Sequence, residues 1–397
     1  MTSRFPYYIL IYNFSHTLWI RKRGIIGGIK MLKATHFFAT RWGIISAGVF
    51  VGVFAPLLQR LGNPGNMGIC VACMERDIAG ALGLHRAAAV QYIRPEIIGF
   101  VLGALIAAFL FREFKPRGGS SPIIRFFLGF FAMVGALVFL GCPWRALLRL
   151  AGGDGNAILG LAGLTVGIWI GVLFLKSGYT LGRSQKEVRF AGWVFPIAMV
   201  VLLAFLLYAP QFGRTPEGTP TGPIFFSQKG PGSQHAPIFF SLLIGLCVGF
   251  LAQRTRLCTM GAIRDVILIR NTHLLSGILG IVVAAFIMNL LLGQFKPGFA
   301  NQPIAHTHYL WNFMGMVLAG LAFALAGGCP GRQLFLSGEG DGDAAIFATG
   351  MIIGAGFAHN FSMASSAAGP GAFGPISVII GLIFCIVVGF TIKEKMA

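Results

Sequence analysis

Charge is what this sequence has least of. Only 11% of its 397 residues are Asp, Glu, Lys or Arg, and only 12 are acidic. Soluble globular domains carry roughly 25% charged residues, so an ordinary cytosolic or secreted fold is excluded. A phosphate-cradling glycine loop and a polar stretch large enough for an ATPase domain are also missing, which argues against direct ATP drive. So are the short alternating segments of a porin-type barrel. What is present is 56% hydrophobic residues with 37 Phe and 56 Gly, the composition of a helical polytopic membrane protein. Against the 12 acids stand 31 Lys and Arg, a net +19. In a membrane chain such an excess has two ordinary sources, cytoplasmic loops and a path that attracts anions. Nucleic acid is the weaker reading, because no soluble domain presents a basic face.

Ten stretches are long enough to span, or nearly span, a bilayer: 44–60, 95–112, 123–141, 157–176, 190–209, 237–254, 273–293, 310–328, 344–361 and 375–392. Near the start, one apolar segment is interrupted by Asn13 and His16 and followed by Arg21, Lys22 and Arg23. That charge order is wrong for a cleavable signal peptide, which leaves a biological start at Met31 or an interfacial helix. Residues 210–236 hold five Pro and five Gly and read as an aqueous linker.

The linker divides an internal duplication. Cys70 and Cys258 are each followed six residues later by an Arg-Asp pair, Arg76-Asp77 and Arg264-Asp265, at an offset of 188. Gly-Cys-Pro-Trp-Arg (141–145) matches Gly-Cys-Pro-Gly-Arg (328–332), and Gly-Asp-Gly-Asn-Ala (153–157) matches Gly-Asp-Gly-Asp-Ala (340–344), both at an offset of 187. The expected organisation is an N-terminal extension (1–40), a first membrane repeat (41–209), the linker (210–236) and a second repeat (237–397). Five spans per repeat is an odd number, so the second copy enters the membrane from the opposite side. Lys and Arg accumulate on the segments that lie inside if both termini are cytoplasmic. The 60–94 segment breaks this rule with Arg60, Arg76, Arg86 and Arg94, which implies that the motif segments fold back into the protein.

Pro favours the first position of a helix, so Cys142-Pro143 and Cys329-Pro330 each place a thiol at or beside a helix N-terminus. Unpaired backbone N–H groups and the dipole favour an anion there. Arg145 and Arg332 stand in the same first turns and offer forked donors to an oxyanion. A plain helix break with Cys as a small filler is the alternative, weakened by the duplication. For Arg76 with Asp77 and Arg264 with Asp265, the reading is structural ion pairs that hold folded-back helices in place, since an unpaired charge in a membrane is costly. Seven of the 12 acids (Glu75, Asp77, Asp154, Asp265, Glu339, Asp341 and Asp343) lie in the motif segments.

Cys70-Val-Ala-Cys73 is a lone CxxC without a counterpart to Cys73 in the second copy, so no metal site and no cofactor is expected. Cys247 and Cys385 read as packing residues. His306 and His308 offer a metal-binding pair but read first as solvated loop residues, and His359-Asn360 are polar groups within a span that need partners, with lining a path as the sharper alternative. Glycine-rich runs at 99–109 and 163–171 suit close helix packing.

The duplicated Gly-Cys-Pro, the Gly-Asp-Gly after it and the upstream Cys in each half resemble the YeeE/YedE family of bacterial membrane proteins, and GICVACMERDI with GCPWR resembles its YedE branch, associated with selenium metabolism. The resemblance runs from about residue 40 to the end. It implies an hourglass of transmembrane helices with short re-entrant segments meeting at a Cys-lined constriction in the bacterial inner membrane. It also implies uptake of a thiosulfate-like or selenium-containing anion, and a small TusA-like sulfur carrier on the cytoplasmic side. Carried over by motif, Cys142, Cys329 and Cys70 fall on the family's cysteines, with Cys258 the repeat equivalent of Cys70. The expectation is a non-enzymatic importer in which Cys70, Cys142, Cys258 and Cys329 relay the anion and Arg145, Arg332, Arg76 and Arg264 support its charge. Two other readings stand beside it: a membrane thiol oxidoreductase with a Cys70–Cys73 disulfide, and a membrane anchor for a TusA-like carrier.

Overall fold

Hydropathy places the helices of this chain, and Pro, Gly and left-handed residues cut them. The computed structural model describes residues 37–208, 222 and 224–393. The segment around Met31 and the first part of the expected linker lie outside them.

In the first half run α1 (Arg41–Arg60), the short α2 (Val71–Ala81), α3 (Pro95–Leu110), α4 (Pro122–Phe139), the short α5 (Pro143–Ala151), α6 (Asn156–Lys176) and α7 (Val194–Tyr208). The second half repeats the order: α8 (Ile238–Thr255), the short α9 (Thr259–Ile269), α10 (His273–Leu291), α11 (Tyr309–Ala326), the short α12 (Pro330–Gly338), α13 (Gly342–Asn360) and α14 (Gly374–Thr391). Among the described residues, strand is confined to a two-residue pair, Arg117–Gly118 (β1) with Gln185–Lys186 (β2). The chain is an all-α polytopic membrane protein. Each of the ten expected apolar stretches coincides with a helix. Among the described residues, eight helical stretches are long and apolar enough to cross a bilayer. Helix α3 has 16 residues, and α13 is diluted by Asp343, His359 and Asn360.

Packing is reciprocal between the halves: α1 lies against α10 and α8 against α3, while α6 lies against α11 and α13 against α4. These contacts rest on glycine. A Cβ at Gly99 would sit 2.7 Å from the backbone of Gly245, so α3 and α8 touch main chain to main chain. In a bilayer, where no hydrophobic drive separates helix from lipid, such close approach is what holds helices together. The last helix of each half departs from the pattern, with α7 against α3 and α14 against α4 and α11.

The breaks before the short helices explain the architecture. Helix α11 ends in Gly327 at φ +85°, and α4 ends in Leu140 at φ +65°; each turn is followed by Gly-Cys-Pro. Pro at the first helical position then starts α12 and α5 in a new direction. The 60–94 segment is folded into the protein, with residues 69–81 buried throughout. Of the expected linker, residues 224–236 are docked on that segment rather than free in water: Phe225 N–H donates to the Ala81 carbonyl, Ser227 N–H to Gln91, and Arg94 donates to the Pro231 and Gln234 carbonyls.

Candidate functional site

All four short helices begin at cysteine. Cys70, Cys142, Cys258 and Cys329 are the N-cap residues of α2, α5, α9 and α12. N-caps are normally Ser, Thr, Asp or Asn, whose oxygens accept strongly from the first-turn N–H groups. A thiol is a weaker acceptor and leaves that turn's positive end closer to unsatisfied. Cys70 Sγ accepts from Cys73 N–H at 3.4 Å, and Cys258 Sγ accepts from Gly261 N–H at 3.3 Å. The thiols of Cys142 and Cys329 make no such cap bond.

The folding brings the caps together in pairs within each half. Cys142 N–H donates to Cys70 Sγ at 3.5 Å, and Cys258 Sγ lies 3.6 Å from Cys329 Sγ. All seven cysteines are free thiols, Cys70 and Cys73 included. The guanidinium of Arg145 is fully buried beside the first pair, where it donates to Cys73 Sγ at 3.1 Å and to the Asn66 and Ile304 carbonyls. Among the described residues no carboxylate comes within ion-pair distance of it. A buried cation without a counter-ion is expensive, and an anion placed beside it would offset that cost. Its counterpart Arg332 sits 3.4 Å from Glu339.

Trp144, in the first turn of α5, reaches from the first Gly-Cys-Pro turn to the second. It packs on Phe100 of α3 and Phe335 of α12 with ring centroids 5.9 and 6.0 Å away. Its Cζ2 lies 3.5 Å from where a Cβ would stand at Gly331, in the first turn of α12. The indole edge that carries Nε1 is thus turned toward the second Gly-Cys-Pro turn. Nε1 is buried and has no partner, and the Thr259 hydroxyl beside Cys258 is in the same condition. Two orphaned donors next to two thiol pairs suit a ligand rich in acceptor atoms.

The remaining expected residues fall as follows. Arg76 and Arg94 both clamp Asp77, at 2.6 and 2.7 Å, and Arg264 pairs with Asp265 at 2.8 Å. Arg76 and Arg264 are therefore engaged by carboxylates next to them in sequence. In the Gly-Asp-Gly turns, Asp154 binds Arg149 at 2.6 Å, and Asp341 caps α13 while pairing with Arg117. His306 corrects the expectation of a solvated loop: it is 2% exposed, with Nε2 on the Val138 carbonyl and Nδ1 accepting from His308 N–H. Burial, partly opposed by the Val138 bond, holds its imidazole below the usual pKa. The His359 ring lies 4.5 Å from that of His85, tilted by 34°, and Asn360 donates to the Leu84 carbonyl, which pins the end of α13 to the 82–94 loop. No group of three His, Cys, Asp or Glu side chains among the described residues is arranged to hold a metal.

Residues 254–384 match the family described as sulphur transport. Over that stretch, about a third of its length, the chain is similar to the sulphur-transport family. The sulphur-transport match covers the last residues of α8 through most of α14 and so contains Cys258, Cys329 and Arg332. Two similar proteins are both named thiosulfate transporter TsuA. The one from Spirochaeta thermophila is 31% identical over 103 residues, 26% of this chain and 31% of that protein. The one from Escherichia coli is 27% identical over 104 residues, 26% of this chain and 29% of that protein. The chain thus spans less than a third of the length of the curated relatives it matches.

Two residues of the site escape sequence reasoning. Trp144 is visible only as the one mismatch within the duplicated five-residue motif, and Thr259 faces Val71 at the matching position of α2. In each case the signal is an asymmetry between copies that otherwise agree.

Proposed function

We propose that this chain imports a small sulfur- or selenium-containing oxyanion, thiosulfate-like in charge and size, through a bacterial inner membrane. The anion passes between the two pairs of Cys-capped helix starts. The observation that carries this reading is Arg145, a buried guanidinium with no carboxylate partner beside Cys70, Cys73 and Cys142. The N-terminus of each short helix contributes about 0.3–1 kcal/mol toward an anion, and up to about 2 in a partly buried setting. Thiol S–H groups add weak donors, and Trp144 Nε1–H and Thr259 O–H add stronger ones. All of these contacts are reversible, so the anion moves from one thiol pair to the next without a persulfide intermediate. The role is transport and not catalysis.

In the same proposal the two halves are inverted copies of an hourglass whose constriction is the Cys and Trp144 layer. Both termini are cytoplasmic, and a TusA-like carrier receives the sulfur on that side. Cells expressing the protein should accumulate labelled thiosulfate, selenite or sulfite above an empty-vector control, and the preferred label reveals the substrate. Accumulation of none of the three, with capture of a small carrier protein, would favour the anchor reading. A Cys70–Cys73 disulfide that responds to quinone depletion would favour the oxidoreductase.

A further inference from the structure

Glu75 has no part in the relay, and its setting calls for one. It lies in α2, on the same helix as Cys70 and Cys73, and is fully buried with neither carboxylate oxygen hydrogen-bonded. Among the described residues every other buried acid has a partner: Asp77 holds Arg76 and Arg94, Glu96 accepts from Asn63, Asp154 binds Arg149, and Glu339, Asp341 and Asp343 are bonded to Arg256, Arg117 and Ser184. The matching position of α9 is Ile263, so this helix position does not require a carboxyl for folding.

The Arg, Asp and Glu side chains on the elements packed against α2 are engaged elsewhere. Arg94 is on Asp77, Glu96 on Asn63, Arg125 on Ser120 and the Ala326 carbonyl, Arg332 on Glu339, and Asp343 on Ser120 and Ser184. His359 is the exception: its ring lies 4.5 Å from that of His85 at a tilt, and its buried Nε2 has no hydrogen-bond partner. On α2 itself Arg76 is held by Asp77, and Arg145 reaches Cys73 rather than Glu75. An ionised carboxylate buried without a cation or a donor is strongly disfavoured, so the carboxyl in this conformation carries its proton.

We propose that Glu75 is the proton-binding carboxyl that couples anion import to proton entry. The inference rests on the transport reading above. An oxyanion entering a cell moves against an inside-negative potential, so concentrative import needs a co-moving cation. In the proposed cycle Glu75 takes one proton from the outer water as the anion enters. The proton is held as a neutral carboxyl while the path is closed to water, and it leaves to the inner water with the anion. No bond other than the carboxyl O–H forms or breaks.

The test uses purified protein in proteoliposomes with the membrane potential clamped at zero and labelled thiosulfate as the probe. With one proton per anion, an acid-outside gradient of one pH unit should raise wild-type accumulation about tenfold. Glu75→Gln, which keeps the shape but cannot titrate, should retain thiosulfate exchange and lose that gradient-driven rise. Gradient-driven accumulation by Glu75→Gln at the wild-type level overturns the proposal, as does wild-type accumulation that ignores the gradient. If Glu75→Gln does not fold, Glu75→Ile, the residue of the matching helix, takes its place. Infrared spectroscopy of the reconstituted protein reads protonation without transport. A protonated-carboxyl carbonyl band should be present in the wild type and absent from the Glu75 variant, and its absence from the wild type refutes the assignment. Exchange of no anion by the wild type strikes at the transport reading instead, while the infrared result still decides the protonation.

Discussion

Replacing Trp144 with Phe separates packing from ligand binding, because the two contributions have opposite signs. In the empty site the indole N–H is a buried donor without an acceptor. Leaving such a donor unsatisfied costs about 1–3 kcal/mol, which Phe relieves. Against this, the smaller ring leaves a void between Phe100 and Phe335. Complete truncation of a buried aromatic costs about 3–5 kcal/mol, so losing part of one ring costs about 1–2. The two nearly cancel, and Trp144→Phe should unfold within a few degrees of the wild type. With an anion bound the balance changes. A hydrogen bond to a charged group contributes about 1.5–3 kcal/mol, which corresponds to roughly a tenfold to hundredfold loss of apparent affinity. The assay is thermal unfolding in detergent with and without thiosulfate, beside the concentration dependence of uptake. Expected are an unchanged melting point without ligand, a diminished thiosulfate-induced shift and a raised KM. A variant that is several kcal/mol less stable yet keeps wild-type affinity would refute the reasoning, because Trp144 would then be packing alone.

Asp154→Ala should destabilise the protein by about 3–5 kcal/mol, because it strands the fully buried Arg149; adding Arg149→Leu, which copies Leu336 of the second half, should recover most of the loss in the same unfolding assay. His306 is held below its ordinary pKa by burial, so the unfolded chain takes up its proton first as pH falls. Stability should therefore decline below about pH 6.5, the unfolded value, and His306→Gln should flatten that part of the melting-point profile. Gly331→Val adds atoms in the first turn of α12 where Trp144 already stands, and should lower uptake more than it lowers stability, measured as rate per folded protein.

Much of this arrangement was legible in the sequence, and the reasons are physical. Hydropathy reports helices directly when the solvent is lipid, so all ten apolar stretches appear as helices. Pro143 and Pro330 announce the starts of α5 and α12, because Pro tolerates no other place so well. The starts of α2 and α9 carry no such mark; Cys70 and Cys258 become caps only because the preceding chain turns, at Arg256 in a left-handed conformation for α9. Pairing between thiols depends on helices that are far apart in the chain. The burial of His306 depends on a carbonyl of Val138 in another helix. Arg145 was legible as a charge beside a thiol, but its lack of a carboxylate partner was not. Local sequence shows which groups are available, and only the packed structure shows which of them are already engaged.

The most direct measurement of the central claim is the rate of labelled thiosulfate uptake by proteoliposomes containing wild type, Cys142→Ser or Cys329→Ser, each normalised to folded protein. The account predicts loss of most of the uptake in both variants with melting points close to the wild type. Uptake at the wild-type rate in both, at equal folded protein, would contradict passage of the anion between the cysteine-capped helix starts.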